Sequence, residues 1–218
     1  MSKYMFSPNP FRAHIMMIKL IGKNKKVLEV GCATGYISKR LKENGCTVVG
    51  IEIDGESAKV AKQHCENIIV GDIENSSELP YPEKYFDVLL FGDVLEHLKD
   101  PLCVLKKLKS WCKDDGYIIC SIPNVAHIYV RLKLLFGKWD YEDIGLLDRT
   151  HLRFFTMRSA KKLIEDAGFK IEKIDFSPWI PLFRLRKFKC GCALEYYIAK
   201  LRPTLFASNL LVKARKIK

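Results

Sequence analysis

The stretch "KVLEVGCATGYISKRL", residues 26–41, decides the fold. A short apolar run reaches Val30, Gly31 and Gly35 bracket three residues, and a helical pattern follows. A strand that turns through glycines straight into a helix opens a βα unit, and such a turn offers backbone N–H groups to a nucleotide-like ligand. Outward from it the pattern repeats. Runs at 26–30, 46–51, 67–70, 86–91 and 117–122 read as short buried strands. Helical patterns fill 36–43, 56–65 and 101–111, the last with Pro101 in its first turn, and another at 12–21 precedes the sheet. The alternation predicts an α/β fold whose parallel sheet carries helices on both faces.

After the fifth strand the alternation stops for residues 124–155 before "TMRSAKKLIEDAGF", a helix with Thr156 as N-cap and Gly168 at its stop. An insertion there lies over the carboxyl ends of the strands, where open α/β sheets bind ligands. Two further strands are expected at 170–176 and 208–213, separated by a basic stretch. Residues 1–218 therefore read as one domain with a substrate-side insertion at about 124–155 and a basic apolar segment at about 177–203.

The net charge of +12 is unevenly placed: residues 179–218 hold ten Lys or Arg against the single acid Glu195. Within "PWIPLFRLRKFKCGC" bases alternate with large apolar residues, a mixture suited to an anionic membrane surface. RNA is the competing partner and a plain solvated face the simplest reading. No apolar run approaches the roughly 18 residues of a membrane span, and the first residues lack a signal-peptide core, so a cytoplasmic protein is expected. The eight cysteines show no paired zinc spacing and read as reduced.

The glycine loop suits either a dinucleotide or S-adenosylmethionine (SAM). A dinucleotide loop wants a middle glycine where this chain has Ala33, and Glu29 at the strand end would repel a pyrophosphate but attract the cationic SAM. Glu52, in "VVGIEID", is placed to accept from ribose hydroxyls, with Asp54 as the near alternative. Asp72, in "IIVGDIEN", is placed to reach an adenine amino group. Each acid alone could equally be a turn residue or helix cap.

These motifs, with "YFDVLLFGDVLEHLKDP", resemble the class I SAM-dependent methyltransferases, and "IPNVAHI" and "LLDRTHLRFFT" resemble a branch found in bacterial surface-polysaccharide and quinone pathways. The resemblance spans about residues 24–176. It implies a Rossmann-like, seven-stranded, mostly parallel sheet with an antiparallel last strand. It also implies that Glu29, Gly31, Gly35, Glu52, Asp72 and Asp93 surround SAM, which makes their neighbours Cys32, Ala33, Thr34, Tyr36, Ile53, Ile73, Gly92, Val94 and His97 cofactor-binding candidates. The implied reaction is methyl transfer, with oxygen of a small, sugar-linked or lipid-linked acceptor favoured. The absence of an Asn or Asp-Pro-Pro run at "FGDVLEH" weighs against nucleobase or amide nitrogen. A SAM-binding module without catalysis and an RNA methyltransferase remain alternatives.

Such a transfer needs orientation and, for oxygen, a proton acceptor. His97, His127 and His151 are the candidate bases, each also readable as structural. His127, Tyr129, Arg149 and His151 are expected on the acceptor side. No set of three oxygen ligands is evident, so no metal is expected.

Overall fold

A computed structural model describes residues 9–76, 78–180 and 188–217. Its centre is a seven-stranded sheet of β1 (Lys26–Val30), β2 (Thr47–Glu52), β3 (Asn67–Val70), β4 (Phe86–Gly92), β5 (Cys112–Pro123), β6 (Phe169–Pro178) and β7 (Ala207–Lys216). The order is β3-β2-β1-β4-β5-β7-β6, and β7 runs antiparallel to both neighbours while the other pairings are parallel. The order of strands reverses between β1 and its parallel neighbour β4, so a crevice opens at the carboxyl ends of these two strands.

Alternation along the strands divides the core. Leu28, Val30, Leu89, Phe91, Ile118 and Cys120 pack with α4 (Pro101–Leu108) and α6 (Met157–Asp166). Val27, Val88, Leu90 and Ile119 face α1 (Ala13–Ile21) and α2 (Tyr36–Glu43). Central strands buried on both faces read as unbroken apolar runs, which is why the sequence reveals them.

Several expected boundaries shift for local reasons. The helix expected at 56–65 is α3 (Gly55–Ala61), capped by the Asp54 side chain. Its last turn tightens, with the His64 N–H donating to the Ala61 carbonyl at 2.8 Å, and this carries Cys65 into the core. β5 begins five residues before the expected start, hidden by Lys113, Asp114 and Asp115. Thr156 caps α6 with a reciprocal bond from Ser159, as its position after the insertion predicts.

Within residues 124–155, α5 (Ile128–Leu135) and the loop after it close over a small core of Val130, Leu146 and Leu147, joined by Trp139, Phe154 and Trp179. After β6 come α7 (Lys189–Leu201) and the short α8 (Pro203–Phe206). Much of the basic apolar segment expected at 177–203, namely 181–187, lies outside the described residues.

Candidate active site

The glycine loop is held by its own protein before any ligand is considered. Gly31 sits at φ 68°, and a Cβ there would come within 2.6 Å of Val94 Cγ2. Gly35, at φ 75°, leaves only 3.0 Å to the Ala61 Cα. Ala33, in the middle, also adopts a left-handed φ of 47°, a strained conformation for a residue with a side chain. Glu52 fixes it there: one carboxylate oxygen accepts the Ala33 N–H at 2.7 Å and the other the Asp54 N–H at 3.0 Å. Each oxygen keeps a further lone pair for a ligand hydroxyl. Cys32 is buried against Gly50, whereas Thr34 and Tyr36 are half-buried at the start of α2.

Glu29 does not stand in the crevice as expected. It is 3% exposed on the α2 side of β1 and accepts a short hydrogen bond from the Ser38 hydroxyl. Burial pushes its carboxyl up to about 8, which leaves it a poor attractant for a cation at neutral pH. The exposed neighbour is instead Ile53, 69% accessible beside Glu52, an apolar face suited to a purine. Asp72 is committed to its own turn, accepting from the Glu74 N–H at 2.9 Å and the Asn75 amide at 2.8 Å, with Ile73 buried behind it.

β4 ends at Gly92, and Asp93 follows it, again left-handed at φ 56°. The Asp93 carboxylate accepts from Ser121 Oγ at 2.6 Å and Asn209 Nδ2 at 2.8 Å, tying β4 to β5 and β7. Burial raises its pKa, opposed by these two bonds. Val94 follows and packs over Gly31, so the glycine loop and the end of β4 are in contact.

Asp93 also lines a cavity of about 640 Å³, a size suited to a small organic molecule. Glu96, His97, His151, Tyr129, Arg12 and Trp179 are among the other walls. His97 and His151 come together with ring centroids 4.8 Å apart, and the Thr150 carbonyl lies 3.1 Å from His97 Nδ1. Burial, and then the neighbouring His97, lower the pKa of His151. Tyr129 reaches the cavity, but its hydroxyl donates to Glu142 at 2.6 Å, which Lys133 also pairs at 2.7 Å.

Two residues expected on the acceptor side are elsewhere. His127 is fully buried: Nδ1 accepts the Tyr129 N–H at 3.1 Å as the N-cap of α5, and Nε2 lies 2.6 Å from the Trp179 carbonyl. With both nitrogens engaged it has no access to an acceptor's proton. Arg149 turns outward to pair with Asp143 at 2.8 Å and does not line the cavity. Wall residues that escape sequence reading include Arg12, Glu96 and Trp179. Arg12 and Trp179 come from segments far apart in the chain, with nothing local to mark them. Glu96 had a signal in its adjacency to His97, but a single 3₁₀ turn (Leu95–His97) has no periodicity from which a side chain's direction could be read.

Comparison with known proteins agrees with this geometry. A family described as a methyltransferase domain matches residues 9–174. The ubiquinone biosynthesis O-methyltransferase of Actinobacillus pleuropneumoniae is 33% identical over 126 residues, covering 53% of this chain and 53% of that protein. Its counterpart in Dinoroseobacter shibae is 27% identical over 205 residues, covering 90% and 77%. The chain thus spans about half the length of the first curated relatives it matches. A SAM-dependent methyltransferase structure from Archaeoglobus fulgidus superposes with a TM-score of 0.66 at 23% identity, over 94% of this chain and 95% of that one. Another, from Aquifex aeolicus, gives 0.60 at 16% identity over 97% and 94%, and both likenesses speak to the fold. A glycine loop anchored by an acid on β2, a β7 inserted antiparallel between β5 and β6, and a match across residues 9–174 have one reading: the chain belongs to the methyltransferase-domain family.

Proposed function

We propose that this chain transfers a methyl group from SAM to an oxygen of a small acceptor of the quinone-precursor class. The observation that carries the reading is the adjacency of the Glu52-anchored glycine loop to the cavity lined by Asp93, His97 and His151. The residues present fit SAM: Glu52 keeps lone pairs for ribose hydroxyls, and the exposed Ile53 suits the adenine face. When bound, SAM supplies an activated methyl group on a sulfonium, whose departure needs no protonation. The chain's own part is orientation, an effect that can contribute roughly 7–11 kcal/mol. Val94 packs over Gly31 and its neighbour Asp93 lines the cavity, so the glycine loop and the cavity adjoin just beyond β4.

Between sugar-linked and quinone-type acceptors, the names of the relatives favour the second, since those proteins are ubiquinone biosynthesis O-methyltransferases. A lipid-tailed acceptor also accounts for a peripheral membrane contact through the basic C-terminal residues, where Leu194, Tyr197 and Leu201 form an exposed apolar stripe on α7. Among the described residues no helix is long and apolar enough to cross a membrane.

Calorimetric titration with SAM, S-adenosylhomocysteine and NAD tests the cofactor half. Saturable binding of the sulfur ligands alone, weakened at least tenfold in Glu52→Ala, is expected. Binding of NAD instead would sink the reading. Release of S-adenosylhomocysteine with a panel of catechols and phenols tests the acceptor half, and binding without turnover on any of them would leave a SAM-binding module.

A further inference from the structure

Glu142 lines the cavity from the loop after α5, and all of its polar atoms but one are already engaged. Its N–H donates to the Leu147 carbonyl at 2.9 Å, and its own carbonyl accepts the Arg149 N–H at 3.0 Å. In the side chain, Oε1 accepts from the Tyr129 hydroxyl at 2.6 Å and from Lys133 Nζ at 2.7 Å. Oε2 has no hydrogen-bond partner among the described residues. A carboxylate held at its backbone and at one oxygen cannot turn away, so the other oxygen is a preformed hydrogen-bonding position.

Two residues on one face of α5 set this geometry. Tyr129 and Lys133 stand four apart on the helix, so their side chains are neighbours. The Tyr129 ring is fixed in turn, edge-on to Trp179 at 5.2 Å, with Lys133 Nζ 5.0 Å from its centroid. Desolvation of Glu142 opposes its charge, but the bonds from Lys133 and Tyr129 outweigh it and hold the carboxyl below the ordinary value. At neutral pH the group is a carboxylate, able to receive a hydrogen bond but not to give one. Tyr129 spends its one proton on Glu142, so its oxygen can also only receive. Lys133 already balances the charge and would repel a second cation, which leaves a neutral O–H donor as the ligand chemistry that fits Oε2.

We propose that Glu142 is a specificity-determining residue of the cavity, whose Oε2 receives a hydrogen bond from a hydroxyl of the methyl acceptor other than the one that reacts. Tyr129 and Lys133 are its positioning residues. The assignment rests on the methyl-transfer reading and narrows the acceptor to a molecule with at least two hydroxyls. With one hydroxyl held by Glu142, the other is left to react. The reacting oxygen forms its bond to the methyl carbon, the carbon–sulfur bond breaks with its electron pair retained on sulfur, and the hydroxyl proton leaves to solvent. The product is a monomethyl ether. It can bring its remaining hydroxyl to the reacting position only by turning the ether oxygen toward Oε2, where two lone pairs would face each other with no proton between them. The site therefore stops after one methyl group.

The test compares kcat/KM of the full chain for catechol and for its monomethyl ether, 2-methoxyphenol, read as S-adenosylhomocysteine release. The parent should favour catechol by about tenfold or more and make no dimethyl ether from it. Glu142→Gln should cut that preference to about threefold or less and let the dimethyl ether form, because its amide N–H can donate to an ether oxygen. Thermal melts check that the variant is folded. A merely structural role would lower both rates together, and an unchanged ratio in the folded variant would overturn the assignment. Equal use of the two probes by the parent would overturn it without any variant. Titrating S-adenosylhomocysteine into the parent keeps the two readings apart, since its binding stands or falls with the methyltransferase assignment alone. Binding of that ligand with methylation of neither probe would remove the acceptor reading, and the role of Glu142 with it.

Discussion

Gly31 carries two constraints with separable costs. An alanine there must hold φ 68°, worth about 1–2 kcal/mol for an L-residue, and its Cβ would meet Val94 Cγ2 at 2.6 Å, adding about 1–3 kcal/mol of overpacking. Gly31→Ala should therefore lose about 2–5 kcal/mol in urea unfolding, and adding Val94→Ala should recover the overpacking share. Strict additivity of the two single changes would remove the contact argument. Glu29 makes a different kind of prediction. Its carboxyl is raised to about 8 in the folded chain against 4.5 as an ordinary carboxyl, so the folded state binds the extra proton between these values. Its contribution is fully present below pH 4.5 and is lost as pH rises through about 8, at no more than about 1.4 kcal/mol per pH unit. Glu29→Gln retains a partner for Ser38 and should gain stability relative to the parent as pH rises from about 4.5 to about 8. A constant difference across that range would show that Glu29 is ionised when folded. The sequence places Glu29 at the right strand end but not its direction. Ser38, on the next helix, draws the side chain away from the crevice, and nothing in the local pattern marks that pairing.

At the scale of elements, α5 shows how a histidine can matter without doing chemistry. His127 ends one turn and starts the helix, joining the Tyr129 N–H to the Trp179 carbonyl while its ring stacks on Trp179 at 5.0 Å. Burial lowers its pKa, so it remains neutral at physiological pH and suited to these contacts. His127→Ala should cost about 0.5–2 kcal/mol for the lost cap, and more for the stranded carbonyl. It should also reduce turnover by loosening the Tyr129 side of the cavity. The shape of the pH–rate profile should not change. Loss of one limb of that profile in the variant would restore His127 as a proton acceptor. Helices with strong local signals were legible, α6 with its Thr156 cap and α2 after the glycine loop among them. The 124–155 region was legible as a departure but not in its interior. Its small core draws on Trp179 from beyond β6, a contact made only when distant segments close on one another.

For the whole molecule, the sheet was readable because its strands are buried on both faces, and the cavity was not, because Arg12, Glu96, His151, Trp179 and Asn209 converge on it from five separate segments. Charge behaves differently, since it sums along the chain and needs no fold to be seen. The last forty residues hold ten bases, and the fold sequesters their one acid: Glu195 is 2% exposed and accepts the Ile180 N–H at 2.8 Å. The opposite side of α7 presents Leu194, Tyr197 and Leu201 to solvent, with Phe188 exposed just before the helix. A basic surface carrying an apolar stripe gains roughly 1 kcal/mol per base near an anionic bilayer, in addition to whatever apolar area it buries. The chain should therefore float with phosphatidylglycerol-containing vesicles at low salt and leave them at about 0.5 M salt, where the screening length falls to a few ångströms. Lys200→Glu with Arg202→Glu should weaken that binding without changing affinity for S-adenosylhomocysteine, because neither residue lines the acceptor cavity or the glycine loop. Failure to float at low salt would remove the membrane from the acceptor's route to the site. Flotation that ignored both lipid charge and these substitutions would assign the contact to the apolar stripe of α7 instead.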